Sequence, residues 1–388
     1  PLGTLRRMTV RRLQPFGETI FATMSAAAVQ HKAINLGQGF PDTDGPPRML
    51  EIAQREIARG NNQYSPGKGM DVLRTAVANS RGVSVDEVLI TVGATEAISA
   101  TVLGLVEPGS EVIVFDPYYD AYAAAIALAG ATRVSVPLRQ VDKTWDLNTA
   151  AFEAAITERT SLVIINSPHN PTGSVFSRAA LEEFARICVK RDLTVLSDEV
   201  YEHLIFDDNQ HTRIAELPGM KSRTVTSSSA AKSFNATGWK TGWAIAEPEL
   251  LDAVVKAKQF MTYVGPTPFQ PAVAHAINNE RAWLRRMVEN LSVGKDILAE
   301  GLRNAGLKVF DTAGTYFIVA DVTPLGFDDG TEYCMGLPEL QGVAAIPLAG
   351  FSDHKEQWRP LVRFAFCKRH DVLREASERL AQTPLFRL

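Results

Sequence analysis

Six short runs rich in β-branched residues punctuate the middle of the chain: "VLITV" (88–92), "EVIVF" (111–115), "SLVIIN" (161–166), "LTVLS" (193–197), "RTVTSS" (223–228) and "GWAIA" (242–246). Runs apolar at successive positions read as strands covered on both faces. Between them, "TEAISATVLGLV" and "SRAALEEFARICVKR" repeat apolar residues at helical spacing and stop at Pro108 or in Lys190 and Arg191. The alternation predicts an α/β domain with a mostly parallel sheet, because parallel neighbours need helical crossovers. After about residue 280 the pattern changes: a long helical stretch, "RAWLRRMVENLSVGKDILAEGLRNAG", precedes strand-like "TYFIVADV", "GVAAIP" and "LVRFAF". A large domain over 40–285 is expected, with a smaller α+β domain built from 286–388 and the N-terminal residues 1–39. No internal repeat or low-complexity tract interrupts either.

With 388 residues, 45% hydrophobic and 22% charged, the chain has apolar material for a large core. A net charge of -4 gives no electrostatic reason to expect nucleic acid. Three scattered cysteines, Cys188, Cys334 and Cys367, suggest neither a disulfide framework nor a zinc site, which makes the reduced cytoplasm the default location. Arg6, Arg7, Arg11 and Arg12 before "TIFATMSAAAV" imitate a signal peptide. Pro15, Gly17, Glu18, Thr23 and Ser25 break that pattern and favour an amphipathic segment packed on the body. No run approaches the ~18 apolar residues of a membrane helix.

Ligands in open α/β sheets bind outside the carboxyl ends of the strands, so the residues just after each run are where chemistry is expected. "VLITV" leads into "GATEA", with Thr95 at a helix start whose free N–H groups favour a phosphate; a plain N-cap explains the same residues. "EVIVF" leads into "DPYYD", where Tyr118 and Tyr119 offer flat faces to an aromatic ring, or form a surface turn with one buried tyrosine. "SLVIIN" leads into "SPHNPTG", in which Asn170 can donate a hydrogen bond, although turn formation alone accounts for Asn-Pro and Thr-Gly. His169 has no second ligand nearby and reads as structural; no metal is expected.

After "LTVLS" stand Asp198, Glu199 and Tyr201. A carboxylate at the end of a buried strand is costly unless a cation or a protonated ring nitrogen meets it. After "RTVTSS" stands Lys232, among serines and alanines with no carboxylate to pair it. Such a lysine is ordinarily just exposed; in a partly desolvated site its pKa falls, and it becomes a nucleophile towards carbonyl carbons and a proton carrier. Each strand end thus offers one part of a single site, and pyridoxal phosphate needs that set: a lysine for its aldehyde, amides and cations for its phosphate, an aromatic partner for its ring and an aspartate for its ring nitrogen.

At these residues the chain resembles the class I, fold-type-I pyridoxal-phosphate-dependent aminotransferases. "NLGQGFPD", "NQYSPGKG", "VGATEAI", "DPYYDAY", "NSPHNPTG", "SDEVYEHL", "SSSAAKSFNATGWKTGW" and "LVRFAFCKR" occur in family order. The resemblance implies a three-layer α/β fold with a smaller α+β domain. It implies that Lys232 is the covalent anchor, that Asp198 pairs with the pyridine nitrogen, and that Asn170 and Tyr201 hydrogen-bond the ring hydroxyl. Tyr119 stacks on the ring. Ala94 and Thr95 hold the phosphate through backbone amides, together with Ser229 and Lys240. A tyrosine in the position of Tyr64 reaches the phosphate of the other subunit, so a homodimer with shared sites is implied. Arg363 clamps the substrate α-carboxylate, with Gly39 touching it from the N-terminal segment. Phe16, Ile20 and Tyr64, with Tyr263 from the other subunit, are the expected distal-pocket residues.

Within the class the chain is similar to the kynurenine and glutamine aminotransferase group and, more narrowly, to the N-succinyldiaminopimelate aminotransferases of actinobacteria, a subgroup assigned to lysine biosynthesis. One departure is a shorter stretch around Asn79 to Val85, where a surface loop is expected to be missing. The resemblance leaves rivals: an aminotransferase for kynurenine, methionine or glutamine, or a β-lyase acting on cysteine conjugates or cystathionine. A ligand-sensing regulator is disfavoured, since only about forty residues precede the cofactor domain.

Overall fold

The computed structural model describes residues 9–382. Seven strands form the central sheet: β1 (Val88–Val92), β2 (Glu111–Asp116), β3 (Thr132–Pro137), β4 (Thr160–Asn166), β5 (Thr194–Asp198), β6 (Thr224–Ser229) and β7 (Thr241–Ile245). Their spatial order is β1-β7-β6-β5-β4-β2-β3, parallel throughout except for β7, which runs antiparallel to both β1 and β6. The helices used below are α1 (Ile20–Gln30), α2 (Gly93–Leu105), α3 (Arg178–Lys190), α4 (Arg281–Asn304) and α5 (His370–Gln382).

The unbroken apolar runs have a simple cause. Along β2, Val112 and Val114 join one core with Ala97, Ile98 and Val102 of α2, while Ile113 and Phe115 join another with Leu181, Phe184 and Ile187 of α3. Both faces of the sheet are covered, and each such side chain contributes about 1.5–3 kcal/mol by leaving water. The strand that the pattern missed, β3, sits at the edge. It pairs with β2 alone, and its polar residues keep polar partners: Arg133 binds Asp353, and Ser135 Oγ donates to buried Asp116 at 2.8 Å.

Residues 308–365 build a second, antiparallel sheet of β8 (Lys308–Val309), β9 (Phe317–Asp321), β10 (Ile346–Pro347) and β11 (Leu361–Ala365), in the order β8-β9-β11-β10. α4 and α5 pack closely together beside it. A Cβ added at Gly301 would lie 2.1 Å from Ser377 Oγ, so a larger residue there would force the helices apart. The N-terminal segment is woven into the same core: Met24 and Leu36 are buried with Leu298, Leu302 and Phe364. Ile34–Asn35 pairs in parallel with Val343–Ala344, and Leu36 C=O accepts from Ala365 N at 2.6 Å. The segment that imitates a signal peptide is therefore a packed helix, α1, capped by Thr19 Oγ1 accepting from Ala22 N.

Arg6, Arg7 and the extremes of the expected second domain, 1–8 and 383–388, lie outside the described residues. At the expected short connection, Gly82 in the left-handed region ends helix Asp71–Arg81, and a Ser84–Glu87 capping box starts the turn into β1. The chain closes there in a few residues. Among the described residues, no helix is long and apolar enough to cross a membrane.

Candidate active site

The carboxyl ends of β1, β2, β4, β5 and β6 open on a cavity of about 330 Å³, whose far wall is Gln38 and Gly39, Phe317 and Arg363. Ala94, Thr95, Tyr119, Asn170, Asp198, Tyr201, Ser229, Lys232 and Lys240 all line it. The lining comes from segments up to 342 positions apart, from Phe21 to Arg363, brought together by the sheet order and by the second sheet folding back.

Asp198 ends β5 and is buried. Its carboxylate accepts from Tyr122 Oη and, at 3.4 Å, from Val200 N, but no cation among the described residues pairs with it. Burial raises its pKa to about 6, and the Tyr122 hydrogen bond only partly opposes this. Neighbouring Glu199 shows the contrast. Burial raises it too, but His211 at 3.0 Å and Arg81 at 3.1 Å outweigh the cost and hold it at about 2. One carboxylate is neutralised by protein, and the other faces the cavity without a counter-ion.

Lys232 lies in the short turn Ala230–Ser233 after β6. Its Nζ donates to Tyr316 Oη at 2.7 Å and to Gly39 C=O at 3.3 Å. Burial lowers its pKa to about 8; Cys367 and Asp198 pull it up, and Arg363 and Lys240 push it further down. A useful fraction of this amine is therefore neutral at physiological pH, as a nucleophile or base requires.

Arg363, on β11, is buried beneath Phe317, whose ring centroid lies 3.9 Å from the guanidinium carbon. Its Nη1 donates to Asn170 Oδ1 at 2.8 Å and its Nη2 to Gly37 C=O at 2.9 Å, while buried Nε has no partner. An unpartnered buried guanidinium N–H beside a cavity calls for an acceptor from a ligand. Burial lowers the Arg363 pKa to about 10, which leaves it charged at neutral pH.

At the start of α2 the N-cap residue, Val92, makes no side-chain cap, and its own N–H donates to Glu96 Oε2 at 2.6 Å. Thr95 lies in the first turn and is not an N-cap. Gly93 takes a left-handed φ of +72, and a Cβ there would stand 3.1 Å from Lys240 Nζ, so amides and ammonium meet at one spot. Uncapped amides with a lysine, a cationless carboxylate, an amine of lowered pKa and Tyr119 between them fit pyridoxal phosphate.

β7 supports this cradle from behind. A Cβ on Gly242 would sit 2.6 Å from Gly93 C and 2.8 Å from Ala94 N. Gly242→Ala is expected to displace the α2 N-terminus and weaken pyridoxal phosphate binding by about tenfold or more, roughly 1–3 kcal/mol of overpacking strain. Titration of the cofactor-free protein followed by fluorescence measures this; unchanged affinity would refute the supporting role.

Tyr64 and Tyr263, expected to serve the partner subunit's site, stand away from the cavity of their own chain: Tyr64 is 81% exposed, and with Tyr263 (51%) it forms an edge-on pair with centroids 5.5 Å apart. Two expected distal-pocket residues lie elsewhere. Phe16 and Ile20 do not line the cavity. Phe21 does, because α1 starts after Thr19 and turns Phe21 towards Arg363, with its ring 5.4 Å from the guanidinium. Of the two adjacent tyrosines, Tyr119 faces the cavity and bonds Thr95, whereas Tyr118 is buried near Arg133. His169 is buried against Thr172 Oγ1 at 2.7 Å. Tyr122, Asn166, Tyr316 and Gly242 were not expected. Only Tyr122, three positions after Tyr119 in "DPYYDAY", carried a helical-spacing signal.

A family model for aminotransferase class I and II matches residues 31–380. A Mycobacterium tuberculosis protein described as a probable N-succinyldiaminopimelate aminotransferase is 53% identical, over 96% of this chain and 98% of its own length. An Escherichia coli methionine aminotransferase is 37% identical over 96% of this chain and 97% of its own. The solved structure of N-succinyldiaminopimelate aminotransferase from Mycobacterium tuberculosis matches with a TM-score of 0.95 at 54% identity, covering 96% of this chain and 99% of that one.

Proposed function

The chain belongs to aminotransferase class I and II, whose members depend on pyridoxal phosphate, and from that premise we propose that it exchanges an amino group between glutamate/2-oxoglutarate and N-succinyl-LL-2,6-diaminopimelate, a step of lysine and diaminopimelate biosynthesis. The carrying observation is the full-length similarity to a probable N-succinyldiaminopimelate aminotransferase, at 53% identity and with matching architecture.

When bound, pyridoxal phosphate supplies a carbonyl carbon for amine exchange and a ring that takes up the electrons left when Cα loses its proton. Lys232 would be its covalent anchor and, as a free amine, the base that carries the substrate Cα proton. Asp198, aimed by Tyr122, would hold the proton on the ring nitrogen. Asn170 and Tyr201 would hydrogen-bond the ring hydroxyl, and Tyr119 would stack on the ring. Ala94, Thr95, Ser229 and Lys240 would hold the phosphate. Arg363 grips the substrate α-carboxylate, with its Nε as the waiting donor and Gly39 alongside. Phe21, Gln38 and Asp120 border the space for the rest of the substrate. The exposed Tyr64–Tyr263 pair supports a homodimer in which Tyr64 reaches the partner's phosphate site.

Arg363→Lys keeps the charge but loses the planar fork. It is expected to lower kcat/KM for every amino donor by about 10²-fold, in the range of the roughly 2–5 kcal/mol lost when a buried charge pair is broken. Steady-state kinetics with glutamate and the succinylated donor test this, and equal kcat/KM in the variant would remove Arg363 from the clamp. The substrate assignment is tested by comparing half-reaction rates of the loaded enzyme with N-succinyl-LL-2,6-diaminopimelate, kynurenine and methionine, and preference for either of the last two would overturn it.

A further inference from the structure

Tyr316 precedes β9 and is fully buried, far from Lys232 in sequence. Its ring is held edge-on by Tyr201 and Phe317, with centroids 5.4 and 4.9 Å away. Its hydroxyl donates to Gly39 C=O, which leaves the oxygen lone pairs to accept from Lys232 Nζ at 2.7 Å. Gly39 C=O accepts from the same Nζ. Gly39 in turn sits on the strap fixed at Gly37 C=O by Arg363.

We propose that Tyr316 is a positioning residue that, with the Gly39 carbonyl, holds the free Lys232 amine so that its lone pair meets the substrate Cα proton. This rests on the assignment of Lys232 as the base. A neutral primary amine has two N–H donors and one lone pair. Tyr316 Oη and Gly39 C=O take both donors, so the lone pair occupies the one remaining tetrahedral vertex. The proton taken from Cα becomes the third N–H at that vertex, leaves the C–H electron pair on the substrate, and is released along the same direction. Both oxygens also stabilise the ammonium so formed.

The arrangement links the amine to the substrate clamp. Arg363 and Tyr316 grip the two ends of the Gly37–Gly39 strap, so a carboxylate on Arg363 and the orientation of Lys232 are read by the same three residues.

Tyr316→Phe keeps the buried ring and removes only the hydroxyl. In the cofactor-free full-length chain, competitive labelling of Lys232 with acetic anhydride across pH should show its pKa lowered by about one unit, because a hydrogen bond to the charged form is lost. The groups facing Nζ are Asp198, Tyr201, Arg363, Cys367 and Lys240 besides Tyr316, and all remain in the variant. In the loaded enzyme, kcat should fall about 10- to 100-fold with little change in donor KM. The kinetic isotope effect with Cα-deuterated glutamate should rise, and the acidic limb of kcat should move to lower pH. An unchanged Lys232 pKa together with an unchanged isotope effect would overturn the proposal, even if stability or KM moved. Should Lys232→Ala retain turnover, the base assignment fails instead, and the two failures are told apart by that variant.

Discussion

Lys232→Ala is expected to bind pyridoxal phosphate without a covalent link and to lose at least about 10⁴-fold in kcat, since the substitution removes both the anchor and the proton carrier. Binding should survive, because Ala94, Thr95, Ser229, Lys240 and Asp198 are untouched and the turn Ala230–Ser233 already contains alanines. A small primary amine added to the variant should restore part of the rate by occupying the space left by Nζ. Absorbance after gel filtration separates cofactor retention from turnover. Retained turnover without added amine would mean that another group moves the proton.

Asp198→Asn should produce opposite changes in activity and stability. An opposite charge within a few ångströms shifts a pKa by about 1–3 units, so losing the carboxylate should cost about 10²–10³-fold in kcat by letting the ring nitrogen shed its proton. The cofactor-free variant should nevertheless be more stable than the parent at pH 8. In the parent, the Asp198 pKa rises from 3.8 to about 6 on folding. The folded state then binds the proton more tightly, and stability falls as pH rises from about 4 to about 6, by up to roughly 3 kcal/mol. Asparagine carries no such penalty. Thermal melts of both cofactor-free proteins at pH 4.5 and pH 8 should therefore diverge only at the higher pH. A variant no more stable than the parent at pH 8 would show that Asp198 is not strained in the empty site.

Much of the site was legible because its chemistry is unusual where it stands. A lysine in a small-residue turn, an aspartate ending an apolar strand and a Gly-Ala-Thr helix start each have an ordinary explanation singly, and it was their joint occurrence at successive strand ends that pointed to one site. The sheet was legible for a related reason, since strands such as β2 bury alternate residues against different helices and so lose polar alternation. β3 escaped because an edge strand keeps its polar half. Tyr122 and Tyr316 escaped because their partners, Asp198 and Lys232, lie 76 and 84 residues away, and local pattern carries no information about such contacts. Gly242 escaped likewise: it is a glycine because of the Gly93 backbone pressed against it from another strand's end. In the distal pocket, Phe16 and Ile20 gave way to Phe21. Phe16 lies before the helix, and between Ile20 and Phe21 the outcome turned on helical phase, which the Thr19 cap sets and apolar spacing alone leaves open.

The site chemistry is common to all amino donors, so donor selectivity is what distinguishes an N-succinyldiaminopimelate aminotransferase from its relatives. The direct measurement is a single half-reaction: the loaded enzyme is mixed separately with N-succinyl-LL-2,6-diaminopimelate, kynurenine, methionine or cystathionine, with no oxo acid present, while cofactor absorbance and pyruvate are followed. The account predicts fast and complete loss of the aldehyde-form absorbance with the succinylated donor, much slower change with the other donors, and no pyruvate. Preference for methionine or kynurenine, or pyruvate release from cystathionine without net change in the cofactor, would contradict it.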